Sequence, residues 1–164
     1  MMRTALLGLA LALGMNGMAQ AQGYDADRQL ETFTTGALKS TLGELGATYR
    51  DREGVPNISV EFANGLKADA LLMACDDQAT ASNCLGTSIL ATFAQEGKTD
   101  AEVAAAVSEY NYRQNFGRAY VDPNGEISLR MYIIADGGIT MDNYRNQIGL
   151  FAISMERFLD YLYE

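Results

Sequence analysis

The chain has 164 residues, with 21 acidic against 12 basic side chains, a formal net charge of −9, no histidine and no tryptophan. That balance argues against nucleic acid and anionic lipid as partners. The missing imidazole removes the commonest general base, the commonest metal ligand and every Ser-His or Cys-His nucleophile pair.

In chain order, Arg3 is followed by an apolar run from Ala5 to Leu13 and then by Ala19-Gln20-Ala21. This is the pattern of a cleavable secretory signal, cut after Ala21. The run is shorter than the roughly 20 residues that span a bilayer, and Gly14, Asn16, Gly17 and Gln20 break up the stretch after it. Residues 1–21 are therefore expected to leave a single domain over 22–164, periplasmic or secreted, with enough chain for one hydrophobic core. Loss of Arg3 takes its charge from −9 to −10.

Asp25 or Asp27 is placed to cap a first helix over about 28–45, with Leu30, Phe33, Ala37, Leu38, Leu42 and Leu45 on one stripe and Gly46 as its stop. A short strand over 47–53 and a Gly54-Val55-Pro56 turn come next. Residues 57–63 alternate, with Ile58, Val60 and Phe62 to one side, and Asn64-Gly65 predicts a hairpin. The strand over 66–75 starts with Lys67 and Asp69 outward. It becomes apolar on both sides at Leu71, Leu72 and Met73, as a strand covered on both faces would. Residues 84–94 read as its partner.

Thr99 and Glu102 form a capping box opening a second helix to about residue 115, with Val103, Val107 and Tyr110 on one face. Strands over 118–121 and 126–134 flank an Asp122-Pro123-Asn124-Gly125 turn, and Ile127, Leu129, Met131 and Ile133 share a side. Gly137-Gly138 breaks the chain, and Thr140 caps a final helix with Tyr144, Ile148, Phe151, Met155, Phe158, Leu159 and Leu162 at helical spacing. Short hairpins exclude a parallel doubly wound sheet. The expected fold is α+β: an antiparallel sheet of about five to six strands with three helices packed on it, in the order α-ββββ-α-ββ-α.

Cys75 and Cys84 are the only cysteines. In an oxidising compartment an even pair at short spacing reads as a disulfide. A redox pair would show Cys-x-x-Cys, and a zinc site would need further soft ligands that the chain lacks.

Asn111 and the string Phe116-Gly117-Arg118-Ala119-Tyr120-Val121-Asp122, together with Cys75-Asp76-Asp77 opening a loop that closes at Cys84, resemble the YbjN family of bacterial sensory transduction regulators. The resemblance runs over about residues 27–162. Tyr110 stands where that family often has Trp, and Asn115 where it often has Arg. The resemblance implies a fold like that of type III secretion chaperones, which dimerise and bind extended partner segments. It also implies a non-enzymatic binding or regulatory role, and it supplies no catalytic residues, cofactor or metal.

The candidate partner-binding residues are Asn111, Arg113, Phe116, Arg118 and Tyr120, with Leu150 and Ile153 on a stretch of the last helix that carries no charge on any side. The expected partner is a protein or peptide of unknown identity, or a second copy of the chain. A plain structural alternative has Asn111 ending its helix, Phe116 filling the core, Arg118 paired with Asp122 or another acid, and the other helices covering Ile148–Met155. The enzymatic alternative is a small periplasmic hydrolase using a carboxylate pair, Asp76-Asp77 or Asp100 with Glu102. Turn and cap chemistry accounts for both pairs. Asp122 to Glu126 carries oxygen ligands, but its glycine falls too early for an EF-hand loop.

Overall fold

The structure, a computed structural model, describes residues 23–164. The leader and the cut after Ala21 lie outside the described residues. In chain order the elements are β1 (Gln29–Leu30), α1 (Thr35–Glu44), β2 (Thr48–Asp51), β3 (Ile58–Glu61), β4 (Lys67–Met73), β5 (Gly86–Phe93), α2 (Asp100–Arg113), β6 (Arg118–Val121), β7 (Ile127–Ile134), β8 (Ile139–Thr140) and α3 (Met141–Tyr163). The main sheet is antiparallel with order β2-β3-β4-β5-β7-β6, and β1 pairs with β8 in a separate two-stranded sheet.

The first helix begins later than its periodicity predicts. Leu30 and Phe33 are buried, as the stripe requires, but they lie in extended chain. Phe33 exchanges backbone hydrogen bonds with Cys84, and Leu30 pairs with Ile139. Three threonines around Phe33 weaken helix formation there, because β-branched side chains lose rotamer freedom in a helix. Thr34, rather than Asp25 or Asp27, is the cap, its hydroxyl accepting from the Ala37 N–H.

The hairpins follow local chemistry. At Asn64-Gly65 the Gly65 N–H donates to the Phe62 carbonyl and the Phe62 N–H to the Leu66 carbonyl. Only Gly65 takes positive φ, +82°. This is a type I turn closed by a glycine bulge. The capping box at Thr99 and Glu102 forms with both reciprocal bonds, and Thr140 caps α3.

All three helices pack on one face of the main sheet. α3 lies against β5 and β7, between α1 and α2. Its stripe of Tyr144, Ile148, Phe151, Met155, Phe158 and Leu162 is buried against Thr87, Ile89, Leu129 and Ile133 of the sheet. Phe158 meets Phe93 and Tyr110 edge-on at 5.0 and 5.2 Å between centroids, and Phe33 stacks on Tyr144 at 4.2 Å. The Tyr144 hydroxyl shares a 2.7 Å hydrogen bond with Thr87 inside this core. Burial pushes that phenol well above its ordinary pKa, so it stays neutral.

Among the described residues no helix covers the other face of the sheet, which corrects the reading of β4 as a strand covered on both sides. Ala68, Ala70 and Leu72 are buried under the helices, whereas Leu71 and Met73 on the opposite parity are only half-buried. An apolar residue on both parities signals a hydrophobic face, but which layer covers it is set by where the helices dock.

Candidate functional site

The string that carries the family resemblance lies at the junction of α2 and β6. Asn111 does not end its helix, which continues to Arg113. Its side chain instead reaches the edge strand: the amide donates to the Ala119 carbonyl at 2.8 Å and its oxygen accepts from the Ala119 N–H at 3.0 Å. Ala119 faces away from β7 with both backbone groups, so Asn111 supplies the partner that a further strand would otherwise provide. Tyr110 is fully buried and donates to the Phe116 carbonyl at 2.6 Å. Gly117 sits at φ +74°, where a Cβ would come within 3.1 Å of Leu129 Cδ1 and 3.2 Å of the Tyr110 hydroxyl. Both the backbone angle and the space require glycine.

With its backbone so fixed, β6 turns Arg118 and Tyr120 onto the bare face of the sheet. The register places Arg118 opposite Arg130 of β7, and Arg130 opposite Leu90 of β5. The Arg130 guanidinium lies 5.3 Å from the Tyr120 ring centroid and 5.8 Å from that of Tyr132, and donates to the Tyr132 hydroxyl at 2.9 Å. The Tyr132 hydrogen bond raises its pKa further, so it is always a cation. Its Nε is shielded and has no acceptor. Among the described residues no carboxylate pairs with Arg118 or Arg130. The expected pairing of Arg118 with Asp122 is therefore absent: the Asp122 carboxylate accepts from the backbone N–H groups of Asn124 and Glu126 within its own turn.

Beside the two arginines the face becomes apolar. Leu71, Ser88 and Tyr132 form one cross-strand row, and Met73, Gly86 and Ile134 the next. A Cβ on Gly86 would lie 3.0 Å from Met73 Cγ and 3.5 Å from Ile134 Cδ1, so the missing side chain lets these two close over β5. Tyr132 and Ile134 remain 51% and 55% exposed. On the β2–β4 side the same face is polar: Asp69 accepts from Ser59 at 3.0 Å and from Arg52 at 3.0 Å.

The remaining sequence candidates scatter. Phe116 is 50% exposed rather than in the core, because its carbonyl, not its ring, is drawn inward by Tyr110. Arg113 pairs with Glu109 one helical turn away on the exposed side of α2. Leu150 is half-buried and Ile153 is 53% exposed on the outer surface of α3. These two sit on the layer opposite the bare face, so the candidates do not form one site. Sequence reading missed Arg130, Tyr132 and Ile134. They were legible as the outward parity of β7, where Ser128, Arg130, Tyr132 and Ile134 alternate with the buried set.

The carboxylate pairs are engaged locally. Asp76 accepts from Asn83, and Asp77 accepts from the Ala79 N–H and the Thr80 hydroxyl, the latter bond chiefly lowering its pKa. Asp100 accepts from Gln95, and Glu102 closes the capping box, which lowers its pKa in turn. Cys75 and Cys84 are joined as a disulfide across the base of the β4–β5 loop. Among the described residues no group of three or more acidic or cysteine side chains is placed to hold a metal, and no helix is long and apolar enough to cross a membrane.

The family model described as "YbjN: Putative bacterial sensory transduction regulator" matches residues 78–164, which hold β5, α2, β6, β7, β8 and α3. The chain belongs to the YbjN family. The match takes in the α2–β6 junction and both arginines of the bare face, while Cys75-Asp76-Asp77 and the elements before them precede it. A solved structure, "Crystal structure of YbjN, a putative transcription regulator from E. coli", aligns over 76% of this chain and 85% of its own with a TM-score of 0.51 at 16% identity. At that identity the likeness is one of fold. No curated protein matches this chain by sequence.

Proposed function

We propose that this YbjN-family chain is an exported, non-enzymatic regulatory domain that binds a polypeptide on the bare face of its sheet. One observation carries the reading: among the described residues the six-stranded sheet has helices on one face only, and the other presents half-buried or exposed Leu71, Met73, Leu90, Tyr132 and Ile134. A sheet normally buries its apolar positions, and a contiguous exposed apolar patch marks an interaction surface. Export is supported by the leader pattern at residues 1–21 and by the disulfide, which suits an oxidising compartment. The chaperone-like fold that the sequence resemblance implies suits a domain that holds an extended segment, and the occupant proposed here is a segment of another exported protein.

A photo-crosslinking amino acid at position 132, expressed in the native host, tests this. A covalent adduct with another polypeptide is expected from position 132 and none from position 112, an exposed tyrosine on α2. No adduct at 132, adducts at both positions, or an adduct only with a second copy of the chain would overturn the reading. Intact mass of the same material checks export: loss of residues 1–21 with no free thiol is expected, and an uncut chain with two thiols would remove it.

A further inference from the structure

We infer that Arg118 and Arg130 form a clamp for carboxylates on the polypeptide that occupies the bare face, so that the partner segment is acidic with apolar neighbours. The inference rests on the reading above and specifies the partner's chemistry. Like charges directly opposite one another on adjacent strands destabilise a sheet. Here two arginines stand directly opposite in register on β6 and β7, and among the described residues no carboxylate pairs with either. The chain has 21 acids for 12 bases and pairs Lys39, Arg52, Lys67, Arg113 and Arg145. Among the described residues Arg50, Lys98 and Arg157 also lie outside any salt bridge, but only Arg118 and Arg130 stand opposite a like charge in a strand register.

Arg130 is also held in position. Tyr120 and Tyr132 flank its guanidinium, and the Tyr132 hydroxyl accepts from one Nη. With Nε shielded and Nη1 bonded to Tyr132, the donors left for a carboxylate are Nη2 and the second Nη1 hydrogen, on a guanidinium already held in place and so engaged at little entropic cost. The nearest acid in its row, Asp69, is separated by Leu90 and already accepts from Ser59 and Arg52. Adjoining rows present Leu71 with Tyr132 and Met73 with Ile134, surfaces for the apolar residues of the same segment. A nucleic acid would bring anions too, but it would approach a chain of net charge −9.

The test is fluorescence anisotropy with the purified protein and a labelled eight-residue peptide of alternating glutamate and leucine, against one of alternating serine and leucine. The glutamate peptide is expected to bind at least tenfold tighter at low salt. The double variant R118A/R130A is expected to lose that preference with an unchanged or higher melting temperature, and Arg113→Ala to retain it. Equal affinity for the two peptides, a preference that survives R118A/R130A, or an oligothymidylate that binds as tightly as the glutamate peptide would overturn the clamp. A lower melting temperature in R118A alone would also overturn it, by showing the arginine to be structural. If the clamp fails while position 132 still crosslinks a partner, only the partner's chemistry is wrong. If crosslinking also fails, the binding face itself is wrong.

Discussion

The two faces of the main sheet differ in how their polar groups are satisfied. On the helix-covered face, the buried Thr87 and Tyr144 hydroxyls satisfy each other, and Asn111 closes the edge strand. On the bare face, two arginines stand opposite in register with no carboxylate paired to either among the described residues, beside rows of apolar side chains half open to water. The first face is what folding selects, because buried polar groups must be paired. The second is arranged in a way that folding alone does not reward, and its features make sense once something is laid on it. The sheet edges repeat the contrast: Asn111 occupies the backbone of β6, while every residue of β2 is exposed at the other edge.

The sharpest way to break this comparison is to truncate one aromatic on each face. Phe158→Ala should cost about 3–5 kcal/mol, because it leaves a cavity between Phe93 and Tyr110. Tyr132→Ala should cost no more than about 1 kcal/mol, the scale of its exposed contact with Arg130, while removing partner capture. Chemical denaturation reads both, and equal losses would mean that the bare face is structural. Next in size is the disulfide. Replacing Cys75 and Cys84 together by alanine should lower stability by about 2.5–3 kcal/mol in the chain-entropy account, seen as an earlier thermal midpoint. An unchanged midpoint would show the β4–β5 loop to be held by its backbone bonds alone.

Asn111→Ala should cost about 1–3 kcal/mol, because the Ala119 N–H and carbonyl both lose their partner. It should also unblock the β6 edge, so concentration-dependent association by light scattering would sharpen the contrast with β2, and a variant that stays both stable and monomeric would remove it. The smallest effect is electrostatic. In the first turn of α3, the Asp142 carboxylate is held below its ordinary pKa, first by hydrogen bonding to Arg145 and then by Tyr24. A depressed pKa stabilises the fold above the unfolded value, and the contribution is lost as pH falls through the folded value. The midpoint should therefore drop slightly on acidification below about pH 4, the ordinary Asp range, and Asp142→Asn should flatten that part of the profile.

How much was legible varies element by element. β6 spans the residues that the sequence predicts, since Gly117 and the Asp122–Gly125 turn bound it on either side. The Thr99–Glu102 box and the Thr140 cap were equally readable, because a cap is decided by residues within one turn. α1 was not, because Leu30 and Phe33 sit at helical spacing while their backbones bond to Ile139 and Cys84, far along the chain. The β1–β8 pair was missed for the same reason, being two residues long with no periodicity to read.

By itself the sequence determined the types of the three helices and of the main-sheet strands, the inward parity of β3 and β7, the disulfide pair, the α+β class and the family. These rest on local propensity, side-chain period and a short string of residues. The tertiary structure alone decided that β7 inserts between β5 and β6, that the three helices described take one face, and that Arg118 stands in register with Arg130, which lies against two tyrosines. Strand order and face choice are settled by which layers bury the most apolar surface together, a property of the assembled elements that no single segment carries.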